Sequence, residues 1–124
     1  MTDEETLNVV RSYHRAWTTT KDFNAASALL AENLRTDLPV NEYADKREFM
    51  EAIRGFGNLV SSVQILSAVA GPGEAVMIYD LTMNPLGTLR IAEQFTVAEG
   101  KITFIRQVHD TATMRAAGFA PPLP

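Results

Sequence analysis

The sequence predicts an α+β fold, with three N-terminal helices packed on an antiparallel, hairpin-connected sheet. Three observations predict it. Apolar residues recur at helical spacing in the first half of the chain. From Leu59 onward the pattern changes to long strand-like runs. Those runs are joined by short Gly-, Pro- and Asn-containing turns, too tight for the helical crossovers of a parallel sheet. At 124 residues the chain reads as one domain, 1–124, with the segment 112–124 outside the core.

Thr2-Asp3-Glu4-Glu5 fits a capping box, Thr2 being the N-cap and Glu5 lying three residues on. Leu7, Val10, Tyr13/His14 and Trp17 follow at helical spacing and predict a helix from about residue 3 to 19. Thr18-Thr19-Thr20 weakens its end, because β-branched side chains lose rotamer freedom in a helix. Asp22 caps a second helix to about Glu32, with Phe23, Ala26, Leu29 and Leu30 inward. Leu34–Leu38 is a short extended piece stopped by Pro39. Asp45-Lys46-Arg47-Glu48 opens a third helix with the stripe Phe49, Ile53, Phe56, ending near Gly55 or Gly57. Strands are then expected at 60–70, 75–84, 88–97 and 102–110, with one helical turn around Met114 and an unpaired end at Pro121-Pro122-Leu123-Pro124.

The composition, 46% hydrophobic and 21% charged, is that of a globular chain. A net charge of −4 provides no positive field for nucleic acid or an anionic membrane surface. No apolar run nears the ~20 residues of a membrane span, and the acidic start Met1-Thr2-Asp3-Glu4-Glu5 does not read as a signal peptide, so the expected location is cytoplasmic. With no Cys there is no disulfide, thiol nucleophile or cysteine metal site, and two His are too few for a metal site of His alone.

Turn lengths decide which residues share a sheet face. A two-residue turn at Pro85-Leu86 and a bulged three-residue loop at Ala98-Glu99-Gly100 place Ile78, Asp80, Thr82, Leu89, Ile91, Glu93, Phe95, Thr103, Ile105, Gln107 and His109 on one face. Met77, Tyr79, Leu81, Arg90, Gln94, Phe104, Arg106 and Val108 take the other. An error of one residue would flip a strand. On the first face Asp80, Glu93, Gln107 and His109 sit among aliphatic neighbours. A carboxylate in such surroundings binds something, pairs, or takes up a proton, and two together under helices push at least one proton affinity upward. Asp80 therefore reads either as a cavity acid or as a core acid satisfied by Tyr13, Trp17 or an amide, and Glu93 as its neighbour or as a partner of Arg35. His109 reads as a rim or hydrogen-bonding residue, His14 as surface. Tyr13 and Trp17 read as core rings that also wall a cavity. Asp37 and Arg35 alternate, facing either the same interior or an exposed edge.

The three-helix opening, the strand before Pro39, the Asp45–Glu48 helix start and above all Phe95-Thr96-Val97-Ala98-Glu99-Gly100-Lys101-Ile102, followed by Arg106 and Asp110, resemble the nuclear transport factor 2-like superfamily and its SnoaL-like proteins. Members commonly show an F-x-V-x-(D/E)-G-K-I hairpin. The likeness covers about residues 3 to 112. It implies a cone-shaped α+β roll with a curved antiparallel sheet, a pocket inside, and frequent homodimerisation through the outer sheet face, here through Tyr79, Leu81, Phe104 and Val108. The superfamily includes ketosteroid isomerases, limonene epoxide hydrolases and polyketide cyclases, so it implies a fold far more than a reaction. Asp80 falls where epoxide hydrolase-like members carry the first Asp of a triad, but Ile78 replaces the Arg, Gln107 the second Asp, and Asp37 an Asn. In isomerase-like members the base directly precedes the Pro of the short strand, where this chain has Leu38, with Asp37 one residue away. A late-strand Asp of the cyclases is also replaced near Gln107, which cannot take up a proton at neutral pH.

The resulting expectation is a pocket for a small, largely apolar organic molecule. Asp80 is the expected general acid or base, assisted by His109, with Tyr13, Trp17, Asp37, Glu93, Phe95 and Gln107 around the ligand. No metal or organic cofactor is assigned. The alternative is a non-catalytic binding or dimerisation module.

Overall fold

The computed structural model describes residues 1–119. The chain runs α1 (Asp3–Arg15), a π-helical turn (Ala16–Thr20), α2 (Phe23–Ala28), β1 (Leu30–Asp37), α3 (Lys46–Leu59), β2 (Val60–Gly71), β3 (Glu74–Met83), β4 (Gly87–Ala98), β5 (Lys101–Val108) and α4 (Ala112–Ala116). The α+β expectation stands. Each main helix is capped as the sequence suggests: Thr2 accepts from Glu5 N–H, Asp22 from Ala25 N–H and Asp45 from Glu48 N–H, at 2.9–3.1 Å.

The five strands form one sheet in the order β1-β5-β4-β3-β2. This corrects the expected architecture in two respects. The sheet is open, with β1 and β2 at its two edges, and is not closed or strongly curled into a cone. It is also mixed: β1 runs parallel to β5, while β2–β5 pair antiparallel. The piece before Pro39 begins at Leu30, four residues early, because Leu30 pairs with Ile102 and takes the place expected for the last turn of α2.

The helices cover one face. Val10, Tyr13, Trp17, Phe23, Phe49 and Ile53 meet Met77, Tyr79, Leu81, Ile91, Phe95 and Ile105 in a single core. Tyr13 meets the edge of Phe95 with ring centroids 6.2 Å apart. At Gly57 a Cβ would lie 2.5 Å from the Phe23 ring and 2.8 Å from the Trp17 carbonyl, so only glycine lets α3 approach this closely. Lys21, in the left-handed conformation after the π turn, donates to the carbonyls of Gly57 and Val60 and satisfies the end of α3.

Strand parity differs from expectation on β3. Met83 pairs with Gly87, so the connection is the three residues Asn84-Pro85-Leu86. Met77, Tyr79 and Leu81 therefore face the helices, and Ile78, Asp80 and Thr82 face outward. On β4 and β5 parity is as expected, although the turn is the two residues Glu99-Gly100, both at positive φ, with a register shift beyond it restoring the phase. The turn at Met114 forms, and the Met114 side chain alone is buried in the core, while Ala112, Thr113 and Ala116 stay exposed. Pro121-Pro122-Leu123-Pro124 lies outside the described residues.

Candidate functional site

Between the helices and the β3–β5 end of the sheet lies a cavity of about 50 Å³. Phe49, Ala52, Ile53 and Phe56 of α3 form one wall, and Leu81, Met83, Leu89 and Ile91 of β3 and β4 form the opposite one. Leu38, Val40 and Tyr43 after β1, Trp17 of the π turn, and Met114 of α4 complete it. Two side chains on its wall, Gln107 and His109, bring strongly polar groups to an otherwise apolar enclosure. The extra residue of the π turn carries Trp17 inward, and Thr18 and Thr20 hydroxyls return to the carbonyls of His14 and Ala16.

Behind Gln107 sits a fully buried polar cluster. Glu93 on β4 stands opposite Gln107 on β5 and Met77 on β3. Gln107 Nε2 donates to Glu93 Oε2 at 2.8 Å, and the Tyr79 hydroxyl donates to Oε1 at 2.8 Å. Burial raises the Glu93 pKa to about 7 despite both bonds, which favour the carboxylate. Burial, with the Glu93 charge adding to it, pushes the Tyr13 and Tyr79 phenols well above the ordinary value. His14 packs against Tyr79 and Trp17, and burial lowers its pKa to about 4. Tyr13 Oη, His14 Nε2 and Trp17 Nε1 are buried with no hydrogen-bond partner among the described residues.

The expected residues divide sharply. Trp17, Gln107 and His109 line the cavity, and Tyr13, Glu93 and Phe95 lie deeper in the core. Asp80 is corrected: it lies on the outer face, where Arg90 Nε and Nη2 grip its two oxygens at 2.8 and 3.0 Å and lower its pKa. The longer β3–β4 loop is the reason. Asp37 is also outside, ion-paired with Arg106 at 2.7 Å, because β1 lies parallel to β5 with these two residues opposite. Glu93 is partnered by Tyr79 and Gln107 rather than Arg35. Two members of the cluster escaped the sequence reading. Tyr79 was lost to the parity error. His14, read as surface, is 1% exposed, and its spacing from Val10 and Trp17 was the available signal. Among the described residues no group of three or more His, Asp or Glu could hold a metal ion.

No family model and no curated protein sequence matches the chain. Solved structures do. A protein from Kribbella flavida is 28% identical with a TM-score of 0.83, over 90% of this chain and 91% of that one. An NTF2-like protein of unknown function from Cytophaga hutchinsonii is 20% identical with a TM-score of 0.75, over 88% and 93%. The chain has the NTF2-like fold. An LEH-like epoxide hydrolase of M. tuberculosis shares that NTF2-like fold at 22% identity and a TM-score of 0.69, over 92% and 89%. A shared fold does not fix a reaction, so the functional reading rests on the site. No helix among the described residues is long and apolar enough to cross a membrane.

Proposed function

We propose that this chain binds a small, largely apolar organic molecule in the cavity between α3, the π turn and the sheet. The supporting observation is the wall itself: rings and aliphatic side chains enclose the space, and Gln107 and His109 give a bound molecule a polar end to find. At roughly 10–15 Å³ per water-sized group, the volume takes about four such groups, the scale of a five-membered ring or a short chain.

His109 Nδ1 lies 2.9 Å from the Asp110 carbonyl, which can only accept, so this nitrogen carries the proton. In the neutral ring Nε2 is then an acceptor. Acid–base turnover is the finer form of the reading, with Glu93 as the proton-exchanging group in place of Asp80. The fit is better to binding without turnover, because both Glu93 oxygens are engaged and Gln107 stands between them and the cavity. Homodimerisation is a further part of the proposal. Its surface is the outer sheet face, where Val76, Ile78 and Val108 are exposed beside Phe104, and where Tyr79 and Leu81 do not contribute.

The test is binding of cyclopentanone and pyrrole, followed by ligand-observed NMR. Both bind the wild type, and Ala52→Leu, which fills the wall, removes the signal while the melting curve stays cooperative. Equal binding to Ala52→Leu would place the probes elsewhere and defeat the proposal. Sedimentation of wild type against Ile78→Lys tests the dimer, which the charged variant dissociates.

A further inference from the structure

Gln107 belongs to two environments at once. It lines the cavity, and its Nε2 donates to the Oε2 of Glu93. A primary amide has a donor end and an acceptor end, so whichever end meets Glu93 leaves the other for a ligand. The Tyr79 hydroxyl donates to Oε1. Oε2 is therefore the oxygen left to carry a proton when Glu93 is neutral. A carboxylate Oε2 requires the amide N–H toward it. A protonated Oε2 donates, and requires the amide carbonyl.

We propose that Gln107 is the specificity-determining residue of the cavity, and that Glu93 sets which end of its amide the ligand meets. The inference rests on the binding reading above. With Glu93 ionised, the cavity meets the Gln107 carbonyl and selects a ligand that donates, such as an N–H or a hydroxyl. With Glu93 protonated, the amide turns over, presents N–H, and selects a carbonyl ligand. No proton passes from Glu93 to Gln107 or to the ligand; only the hydrogen-bond polarity is passed on.

Of this pair only Glu93 titrates, and among the described residues the buried core around it holds no second group that changes charge near neutrality. From α1, Tyr13 and His14 approach, and from β3, Tyr79; all three are buried, the phenols raised well above their ordinary value and the imidazole neutral down to about pH 4. From β5 the facing group is Gln107 itself, which is neutral. Glu93, raised to about 7, changes state within a range where Tyr13, His14 and Tyr79 do not, and His109, two residues beyond Gln107 on the cavity wall, is told apart from it by the variants below.

The experiment compares pyrrole, an N–H donor, with cyclopentanone, a carbonyl acceptor of the same ring size, by calorimetric titration from pH 5.5 to 8.5. Pyrrole should gain on cyclopentanone as pH rises, by roughly tenfold in the ratio of Kd values, the worth of about one hydrogen bond. Glu93→Gln and Gln107→Leu should each give a ratio constant with pH. His109 is retained in both, so a ratio that still varies with pH in either variant would trace the effect to His109 and overturn the inference. In the ligand-free protein the Gln107 side-chain amide resonances should shift with the Glu93 titration. A constant wild-type ratio, or amide resonances that ignore Glu93, overturns the inference and leaves the cavity a binding site. Failure of both probes to bind at every pH overturns the binding reading and this inference with it.

Discussion

The ring of His14 meets the ring of Tyr79 edge-on, with centroids 4.2 Å apart and planes at 66°. Tyr79 in turn donates to Glu93, so a buried base and a buried acid occupy one core through a shared aromatic neighbour. Their titrations act on stability in opposite directions.

Glu93 has a folded pKa of about 7 against 4.5 for the free group. Between those values the folded state holds a proton that the unfolded state has lost, so stability is greatest below about pH 4.5 and falls as pH rises to 7. His14 has a folded pKa of about 4 against 6.5. Here the unfolded state holds the extra proton, so stability rises with pH from 4 to 6.5. Urea denaturation of the wild type should show the two slopes largely cancelling from pH 4.5 to 6.5. Glu93→Gln should gain stability with rising pH, by on the order of 3 kcal/mol across the window, and His14→Phe should lose a similar amount. Parallel pH profiles for the two variants would contradict the assignment.

Tyr79→Phe removes a hydrogen bond that favours the Glu93 carboxylate. The Glu93 midpoint, followed by the carboxyl carbon shift, should rise above its wild-type value. Chemical denaturation should show a loss of about 1–3 kcal/mol. An unmoved midpoint would mean the phenol does not hold the charge.

Asp80→Asn should leave probe binding in the cavity unchanged, since the side chain lies across the sheet from it, in the grip of Arg90. A tenfold loss of affinity in titration calorimetry would return Asp80 to the site.

Gly57→Ala should cost about 1–3 kcal/mol in a thermal melt, the usual scale of overpacking, because the new methyl meets Phe23 and the Trp17 carbonyl. Emission from Trp17, the single Trp of the chain, reports whether the π turn has shifted. A melt and spectrum identical to wild type would show that α3 can retreat freely.

Much of this arrangement is legible in the residues. The caps at Thr2, Asp22 and Asp45 mark three helix starts, because side-chain oxygens beside free amides act locally. The face carrying Glu93, Phe95, Ile105 and Gln107 is also readable, since the Glu99-Gly100 turn and its compensating register shift preserve parity. Asp80 and Tyr79 exchanged faces because the Asn84-Pro85-Leu86 connection holds one residue more than a tight turn, and local pattern does not count loop residues. The pairing of Leu30 with Ile102 depends on partners seventy-two residues apart, beyond any local period. Tyr79 is hidden by the loop count, whereas the core position of His14 is legible in its spacing from Val10 and Trp17.

The neighbour of β1 is the last strand to be made. During synthesis the backbone of β1 has only water to bond to until residues 101–108 have left the ribosome. Such distant pairing makes folding slow relative to helical proteins of similar size. A chain halted before residue 101 would expose β1 and one side of β4 together, two ready templates for aggregation, and would lack Gln107 and His109 altogether.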